Sequence, residues 1–281
     1  MEIIGEKITV TTQRIAKAMK NREIEPIMEL AKKQTEGGIV FLDVSIGPAT
    51  KGGPELMEWL VTSIQNEVDI PISLDSTNKD AIEAGLKVHK GQALINSASG
   101  QEGRKETMFE LAAKYKAKIV GLTMTDEGIP RDAYERCVVA FELITVAQSF
   151  GIQPRDLYLD PLILPISVQQ DQARKSIDAL GMFQELSNPP TKTTIGLSNI
   201  YNGCPEKIQP WIGGTFLALM LQDGLTTPIA DPNEKDLLDV KDKALKYLED
   251  PSSIDAEDAS KIKKTLNIID QKDLFAASYL D

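Results

Sequence analysis

Short apolar segments alternate with amphipathic helical segments along almost the whole chain, and no other sequence feature restricts the fold as strongly. The apolar segments begin roughly every 22 to 39 residues, which is the length of one strand–helix unit. Because they are near-continuous hydrophobic runs, we expect strands that are buried on both faces in a parallel sheet. The predicted strands are Ile3–Thr9, Ile39–Ile46, Pro71–Thr77, Ala93–Ser99, Lys118–Met124, Leu157–Leu164, Thr193–Asn199 and Thr227–Pro232.

Eight such units predict an α/β fold, the (β/α)8 TIM barrel. A doubly wound open sheet is the alternative, but the G-x-G-x-x-G motif after its first strand is absent from this chain. We assign residues 1–249 to the barrel. Residues 250–281 are predicted to form a helical C-terminal extension of the same domain, with a break at Asp250–Ser253 before a charged helix at about Asp255–Ile268.

The chain is strongly acidic, with 31 Lys and Arg against 42 Asp and Glu and a formal net charge of −11. This charge argues against nucleic acid or an anionic membrane surface as a partner. The N-terminus is acidic, unlike that of a signal peptide, and no apolar run reaches the roughly 20 residues of a membrane-spanning helix. These features predict a cytoplasmic protein.

Metal binding and nucleophilic catalysis have little support in the sequence. Cys137 and Cys204 are far apart, and the single histidine, His89, is predicted to lie at a helix end. No metal site is therefore predicted, although a divalent ion at the strand ends remains an alternative. No lysine stands at the end of strands four to six, which argues against a Schiff-base aldolase.

Polar side chains recur at the ends of the predicted strands. In a TIM barrel these ends form the active-site face, and buried polar groups are costly unless they are used. For Ser76–Asn78 the simpler interpretation is a helix cap. Together the polar residues predict a barrel mouth lined with carboxylates and amides: Glu6, Asp43, Ser45, Asp75, Asn96, Asp160, Ser198, Asn199 and Asp231.

Three of these residues suggest the ligand. A carboxylate accepts two N–H bonds, whereas an amide accepts one bond and donates another. Asp75, Asn96 and Asp160 together complement the edge of a 2-amino-4-oxopyrimidine, which a pterin presents.

The same residues carry a family resemblance, in the segments Leu-Asp75-Ser-Thr, Ile-Asn96-Ser, Asp160-Pro161 and Gly-Leu-Ser198-Asn199. In order and spacing these motifs resemble those of the pterin-binding barrels. Within that group the chain is similar to methyltetrahydrofolate:corrinoid/iron–sulfur protein methyltransferases and related corrinoid-protein methyltransferases, from Met1 to about Asp231.

The resemblance implies a methyltransferase. Such an enzyme transfers the N5 methyl group between methyltetrahydrofolate and the cobalt of a corrinoid (cobalamin). The resemblance further implies that a partner protein, such as a corrinoid/iron–sulfur protein, carries the corrinoid, which is not bound stably here. A homodimer is expected by resemblance and from the many charged C-terminal helical residues.

The resemblance also implies roles for individual residues. Asp75, Asn96 and Asp160 would hold the pterin edge. Asn199 would be the catalytic residue, with a hydrogen bond near N5. The remaining pterin-binding positions would be Gly196, Ser198 and Asn202.

Departures from the family pattern leave the pterin form and the corrinoid partner open. Thr9 and Ser45 stand where asparagine is expected, and Lys207 stands where arginine is usual.

Dihydropteroate synthase is the closest alternative. It requires a lysine after the strand-seven serine and an Arg-x-His on strand eight, where this chain has Asn199 and Ile229–Asp231. A pterin-binding subunit without chemistry of its own is a further alternative.

Overall fold

The computed structural model describes residues 1–280. Its strands are β1 Ile4–Thr9, β2 Phe41–Ser45, β3 Ile72–Asp75, β4 Leu94–Ser99, β5 Lys118–Leu122, β6 Leu157–Asp160, β7 Lys192–Thr193 and β8 Ile229–Ala230. Its α-helices are α1 Gln13–Asn21, α2 Glu25–Glu36, α3 Gly53–Glu67, α4 Lys79–Val88, α5 Arg104–Tyr115, α6 Ala133–Ser149, α7 Asp171–Phe183, α8 Gln209–Gln222, α9 Lys235–Glu249 and α10 Ala256–Ile269.

The strands form one parallel sheet that closes on itself. The sheet order is β7-β6-β5-β4-β3-β2-β1-β8, and β8 pairs with β1 through Ile229 and Ile4. The residues after β7 complete the ring, because the N–H of Ile229 donates to the carbonyl of Ile195 at 2.8 Å. The predicted TIM barrel is therefore confirmed.

The barrel interior changes from apolar to polar along the strands. Its N-terminal half is filled by an apolar cluster of Ile4, Phe41, Leu94, Val120, Tyr158 and Ile229. Successive side chains of a strand point to opposite faces, so the residue two positions further on points inward again. Those next inward positions on β1, β2, β4 and β6 hold Glu6, Asp43, Asn96 and Asp160. The apolar cluster thus forms the floor of a polar mouth.

Two β-bulges disturb the pairing at this polar layer. The register shifts between Gly5 and Ile8 in β1, and between Ile95 and Ala98 in β4. A bulge adds one residue to a strand and redirects its side chains, and bulges are frequent next to active sites. Glu6–Lys7 and Asn96–Ser97 are the segments affected.

The predicted extent of strand seven is wrong. β7 ends at Thr193, and Leu197–Tyr201 form a 3₁₀ turn instead of extending the strand to Asn199. The turn begins where the N–H of Asn199 bonds back to the carbonyl of Gly196 at 3.2 Å. Asn199 therefore reaches the mouth from a turn and not from a strand end.

The C-terminal extension is helical, as predicted. Asp255 caps α10, and its carboxylate accepts hydrogen bonds from the N–H groups of Glu257 and Asp258 at 3.1 and 2.9 Å. Ile262 of this helix is buried against Ala218 of α8 and Ala244 of α9. The division of the chain at residues 249 and 250 stays a prediction.

His89 has a structural role, as predicted. It is the C-cap residue of α4, and its Nε2 accepts a hydrogen bond from the N–H of Ile72 at 2.9 Å. Asn78 caps the start of the same helix through bonds from Asp80 and Ala81. Within residues 1–280, no helix is both long enough and apolar enough to span a membrane.

Replacing Gly214 with alanine is expected to destabilise the packing of α8 on α9. A Cβ at this position would lie 2.7 Å from the carbonyl oxygen of Leu237 and 2.8 Å from the backbone nitrogen of Lys241. Overpacking of this kind costs about 1–3 kcal/mol, which exceeds the roughly 1 kcal/mol that alanine gains over glycine as a helix former.

Urea unfolding tests this expectation, with Gly181→Ala in α7 as the matched control. The nearest group to a Cβ at residue 181 is the Asp223 side chain at 3.3 Å. We expect a lower free energy of unfolding for Gly214→Ala and an unchanged or higher one for Gly181→Ala. Equal effects of the two substitutions would contradict the packing argument.

Candidate functional site

Asp43 and Asp75 form a buried acidic pair on neighbouring strands of the barrel mouth. Ser73 Oγ donates to Asp43 Oδ1 at 2.6 Å, and a hydrogen bond from the Ser45 side chain supports Asp75. Burial raises the pKa of Asp43, and the charge of Asp75 raises it further. Burial also raises the pKa of Asp75, against the opposing effects of Ser45 and Arg104. The pair therefore holds protons more tightly than carboxyl groups in water do.

Asn96 is joined to this pair. Its Nδ2 donates to Asp43 Oδ1 at 3.2 Å, and Asn96 pairs with Asp75 in the strand register. One N–H of the amide is thereby committed to Asp43, and the amide oxygen is the group that can accept a bond from a ligand N–H. Asp75 and Asn96, both predicted from the sequence, lie side by side at the mouth.

Asp160 lies at the end of β6, on a separate part of the mouth. Its side chain is buried, and Oδ1 accepts a hydrogen bond from the N–H of Leu162 at 2.8 Å. Burial raises the pKa of Asp160 to about 7, despite the Leu162 bond and the nearby positive charge of Arg136. A carboxylate with this pKa changes its charge near neutral pH.

Gly196, Ser198 and Asn199 lie together in the segment that follows β7. A Cβ at residue 196 would lie 2.8 Å from Asn199 Nδ2, so only glycine leaves that space to the amide. Ser198 Oγ donates to Glu6 Oε2 at 3.0 Å. Asn199 itself is exposed. Capping of the helix after Pro205 is not its role, because the N-cap residue of α8 is Ile208.

Asn202 is joined to Asn199 through the backbone, because its N–H donates to the carbonyl oxygen of Asn199 at 3.3 Å. It is exposed at the end of the 3₁₀ turn, and its carbonyl oxygen accepts a 3.4 Å hydrogen bond from Ser167 Oγ. Lys207, the departure from the family pattern in the next loop, is also exposed.

A network around Lys7 was not predicted from the sequence. Lys7 Nζ lies 2.9 Å from Glu234 Oε1, 3.5 Å from Glu6 Oε1 and 3.8 Å from Asp231 Oδ2. The hydroxyl of Tyr201 donates to Glu234 Oε2 at 3.1 Å. Glu6 and Glu234 therefore connect β1 to both ends of the 3₁₀ turn that carries Asn199. The bulge in β1 directs Lys7 to this position, and the sequence contains no signal for a bulge.

Arg104 supplies positive charge on the other side of the mouth. Its guanidinium donates to the carbonyl oxygens of Thr77 and Ser97, both at 3.0 Å. It stabilises the ionised form of Asp75 and so opposes the rise in the pKa of that carboxyl. Within residues 1–280, no group of three or more His, Cys, Asp or Glu side chains could hold a metal ion.

Two curated relatives match most of this chain. It is 25% identical over 240 residues to the methylcorrinoid:tetrahydrofolate methyltransferase of Eubacterium limosum, covering 85% of this chain and 88% of that protein. It is 29% identical over 237 residues to the methionine synthase of Mycobacterium leprae (strain TN), covering 81% of this chain. That match spans only 20% of the length of methionine synthase.

Solved structures show the same fold, and a family model identifies the family. The dihydropteroate synthase from Xanthomonas albilineans, in complex with 7,8-dihydropteroate, matches with a TM-score of 0.63 and 15% identity, over 90% of this chain and 95% of that chain. The synthase from Vibrio fischeri ES114 matches with a TM-score of 0.63 and 18% identity, over 89% and 94%. At these identities the likeness concerns the fold alone. Residues 5–227 match the family model described as pterin binding enzyme, so the chain belongs to the pterin-binding enzyme family.

Proposed function

We propose that this protein is a methyltransferase that moves the N5 methyl group between methyltetrahydrofolate and the cobalt of a corrinoid carried by a partner protein. The observation that carries the proposal is the end-to-end match with the methylcorrinoid:tetrahydrofolate methyltransferase, over 85% of this chain and 88% of that protein. The donor and acceptor groups of the mouth fit a pterin, and its polar layer lies where barrel enzymes perform their chemistry.

In this proposal the pterin edge is held by Asp75, Asn96 and Asp160. The carboxylates accept N–H bonds from the 2-amino group and ring nitrogens, while the Asn96 oxygen accepts a further bond. Gly196 and Ser198 form the floor beneath the reacting end, and Asn202 provides a second amide in the adjoining loop. The mixture of acids and one oriented amide supports this arrangement.

The chemical step needs help at N5, because a tertiary amine is a poor leaving group without a proton or a strong hydrogen bond. Asn199 is the residue that we propose for this task, since an amide N–H can donate without first ionising. The partner's corrinoid supplies the cobalt that gives or receives the methyl group. The protein's remaining contribution is to orient the pterin and leave the mouth open for the partner. We also propose a homodimer and a cytoplasmic location.

Methyl transfer from methyltetrahydrofolate to free cob(I)alamin tests the proposal directly through the cobalamin absorption spectrum. We expect conversion of cob(I)alamin to methylcobalamin in proportion to the enzyme added. Tetrahydrofolate binding without any methyl transfer would instead favour a pterin-binding subunit without its own chemistry.

A parallel assay addresses the synthase alternative. Dihydropteroate formation from a dihydropterin diphosphate and 4-aminobenzoate is expected to be absent, because Asn199 and Ile229–Asp231 stand where that reaction requires basic residues. Product formation in this assay would overturn the methyltransferase proposal in favour of a synthase.

A further inference from the structure

Arg136 is a fully buried cation on the inner side of α6, with 0% of its surface exposed. Its Nε donates to the carbonyl oxygen of Pro161 at 2.7 Å, Nη1 to the carbonyl oxygen of Asp132 at 3.3 Å, and Nη2 to Gln172 Oε1 at 2.7 Å. All three acceptors are neutral. In the part of the chain that the structure describes, no carboxylate lies within ion-pair distance of this guanidinium. An unpaired buried charge is costly, so its retention calls for a physical reason.

The reason that we infer lies at the end of β6. Pro161 directly follows Asp160, so the bond from Arg136 Nε attaches the guanidinium to the segment that carries the Asp160 carboxylate. Four acidic residues interact electrostatically with Arg136. They are Asp132 at the N-cap of α6, Glu135 in α6, Asp171 in α7 and Asp160 in β6. Asp132 is exposed, and Glu135 and Asp171 are partly exposed, so water screens their charges. Asp160 is the buried one, so water screens its interaction with Arg136 least.

We propose that Arg136 is a positioning residue that fixes the Asp160 segment and favours the ionised form of the Asp160 carboxylate, which accepts N–H bonds from a pterin ring. The identity of the ligand rests on the proposed function, whereas the contact between Arg136 and the β6 end does not. The positive charge opposes the rise in the pKa of Asp160 that burial causes. Without it, the carboxyl would hold its proton to higher pH and offer one acceptor fewer.

The planar guanidinium suits this task better than an ammonium group. It reaches Pro161, Asp132 and Gln172 at once and thereby joins the end of β6 to both α6 and α7.

Three substitutions separate the effect of the charge from the effect of packing. Arg136→Gln removes the charge and keeps hydrogen-bonding capacity, Arg136→Lys keeps the charge and loses the fork, and Gln172→Leu removes one bond and leaves the charge.

The test is the affinity for tetrahydrofolate, measured by calorimetry under anaerobic conditions across neutral pH. For the wild type we expect affinity to rise with pH until Asp160 is ionised, at about pH 7. Arg136 lies beyond ion-pair distance of Asp160, so its effect on the pKa of that carboxyl is smaller than the roughly 1–3 units of a direct ion pair. In Arg136→Gln the midpoint should therefore move up by up to about one unit, with an affinity loss of up to about fivefold at pH 7 that shrinks as pH rises.

The controls make the outcome decisive. Gln172→Leu and Arg136→Lys should keep the wild-type midpoint. If Arg136→Gln fails to fold, Arg136→Met replaces it, because it also removes the charge and should show the same upward shift. An Arg136→Gln variant with the wild-type midpoint, or with the same loss at every pH, would overturn the electrostatic role. So would an upward shift in Arg136→Lys, where the charge is still present.

A measurement without ligand separates this inference from the proposed function. The carboxyl ¹³C resonance of Asp160, assigned by comparison with Asp160→Asn, titrates in the free protein, and its midpoint should be higher in Arg136→Gln than in the wild type. Such a shift without methyl transfer by the wild type would sustain the role of Arg136 and overturn the methyltransferase proposal. Methyl transfer by the wild type, together with an unshifted Asp160 resonance in Arg136→Gln, would support the methyltransferase proposal and overturn the role of Arg136.

Discussion

Replacing Asn199 with alanine is expected to lower kcat for methyl transfer by about 10²- to 10³-fold, as removal of a single electrostatic donor does in other active sites. The affinity for tetrahydrofolate should fall far less. A donor whose hydrogen bond strengthens as N5 becomes a leaving amine stabilises the transition state more than the ground state. The Asn199 amide is suited to this task because it lies over Gly196, where no side chain restricts it.

Stopped-flow methyl transfer to cob(I)alamin measures this effect, with Asn202→Ala as the matched control from the same loop. Asn202 is exposed, and the contact that it makes to Ser167 uses its backbone carbonyl, which survives the substitution. We expect its rate to stay within about tenfold of wild type. A rate for Asn199→Ala within a factor of about two of wild type would place the N5 donor elsewhere, such as Ser198 or a water molecule.

The barrel could be predicted from sequence because its signal is repeated and local. Six of the eight strands are short runs that end in a polar residue, as in the segments ending at Asp75 and Asp160. Strand six ends at Asp160, before the predicted end at Leu164, because Pro161 has no N–H to continue the ladder. The polar ends of the strands then lie together at one end of the barrel, since all strands of a parallel barrel run in the same direction.

The departures from regular geometry could not be predicted in the same way. The strand-seven segment has the composition of a strand, yet it turns at Gly196 through a backbone bond to Asn199 that depends on neighbouring β8. The bulges of β1 and β4 likewise follow from the pairing register, which a single sequence does not carry. For this reason the sequence placed Lys7 only near the end of strand one and did not predict its ion pairs. Arg136 was missed because a charged residue on a helix is normally a surface residue.

The acidic lining of the mouth has a cost for the folded protein without ligand. Asp43, Asp75 and Asp160 are carboxyl groups whose pKa values are raised chiefly by burial. A carboxyl with a raised folded-state pKa binds more protons in the folded than in the unfolded state. Stability is then highest below the unfolded pKa and falls as pH rises towards the folded pKa. The same groups that are suited to binding a pterin therefore destabilise the empty barrel at neutral pH, as is common for functional sites.

Asp160→Asn should therefore have opposite effects on binding and on stability. A hydrogen bond to a charged group contributes about 1.5–3 kcal/mol, so tetrahydrofolate affinity should fall by on the order of 10- to 100-fold. The free energy of unfolding should instead rise. The pKa of Asp160 is raised from 3.8 to about 7. At about 1.4 kcal/mol per pKa unit, the gain is at most about 4 kcal/mol above pH 7 and disappears near pH 4.

Urea unfolding at both pH values measures it, with Asp69→Asn as the control because Asp69 is exposed in the loop before β3. The control should change neither quantity. An Asp160→Asn protein that binds tetrahydrofolate like the wild type, or that unfolds more readily above pH 7, would show that this carboxylate is not held at the mouth for a ligand.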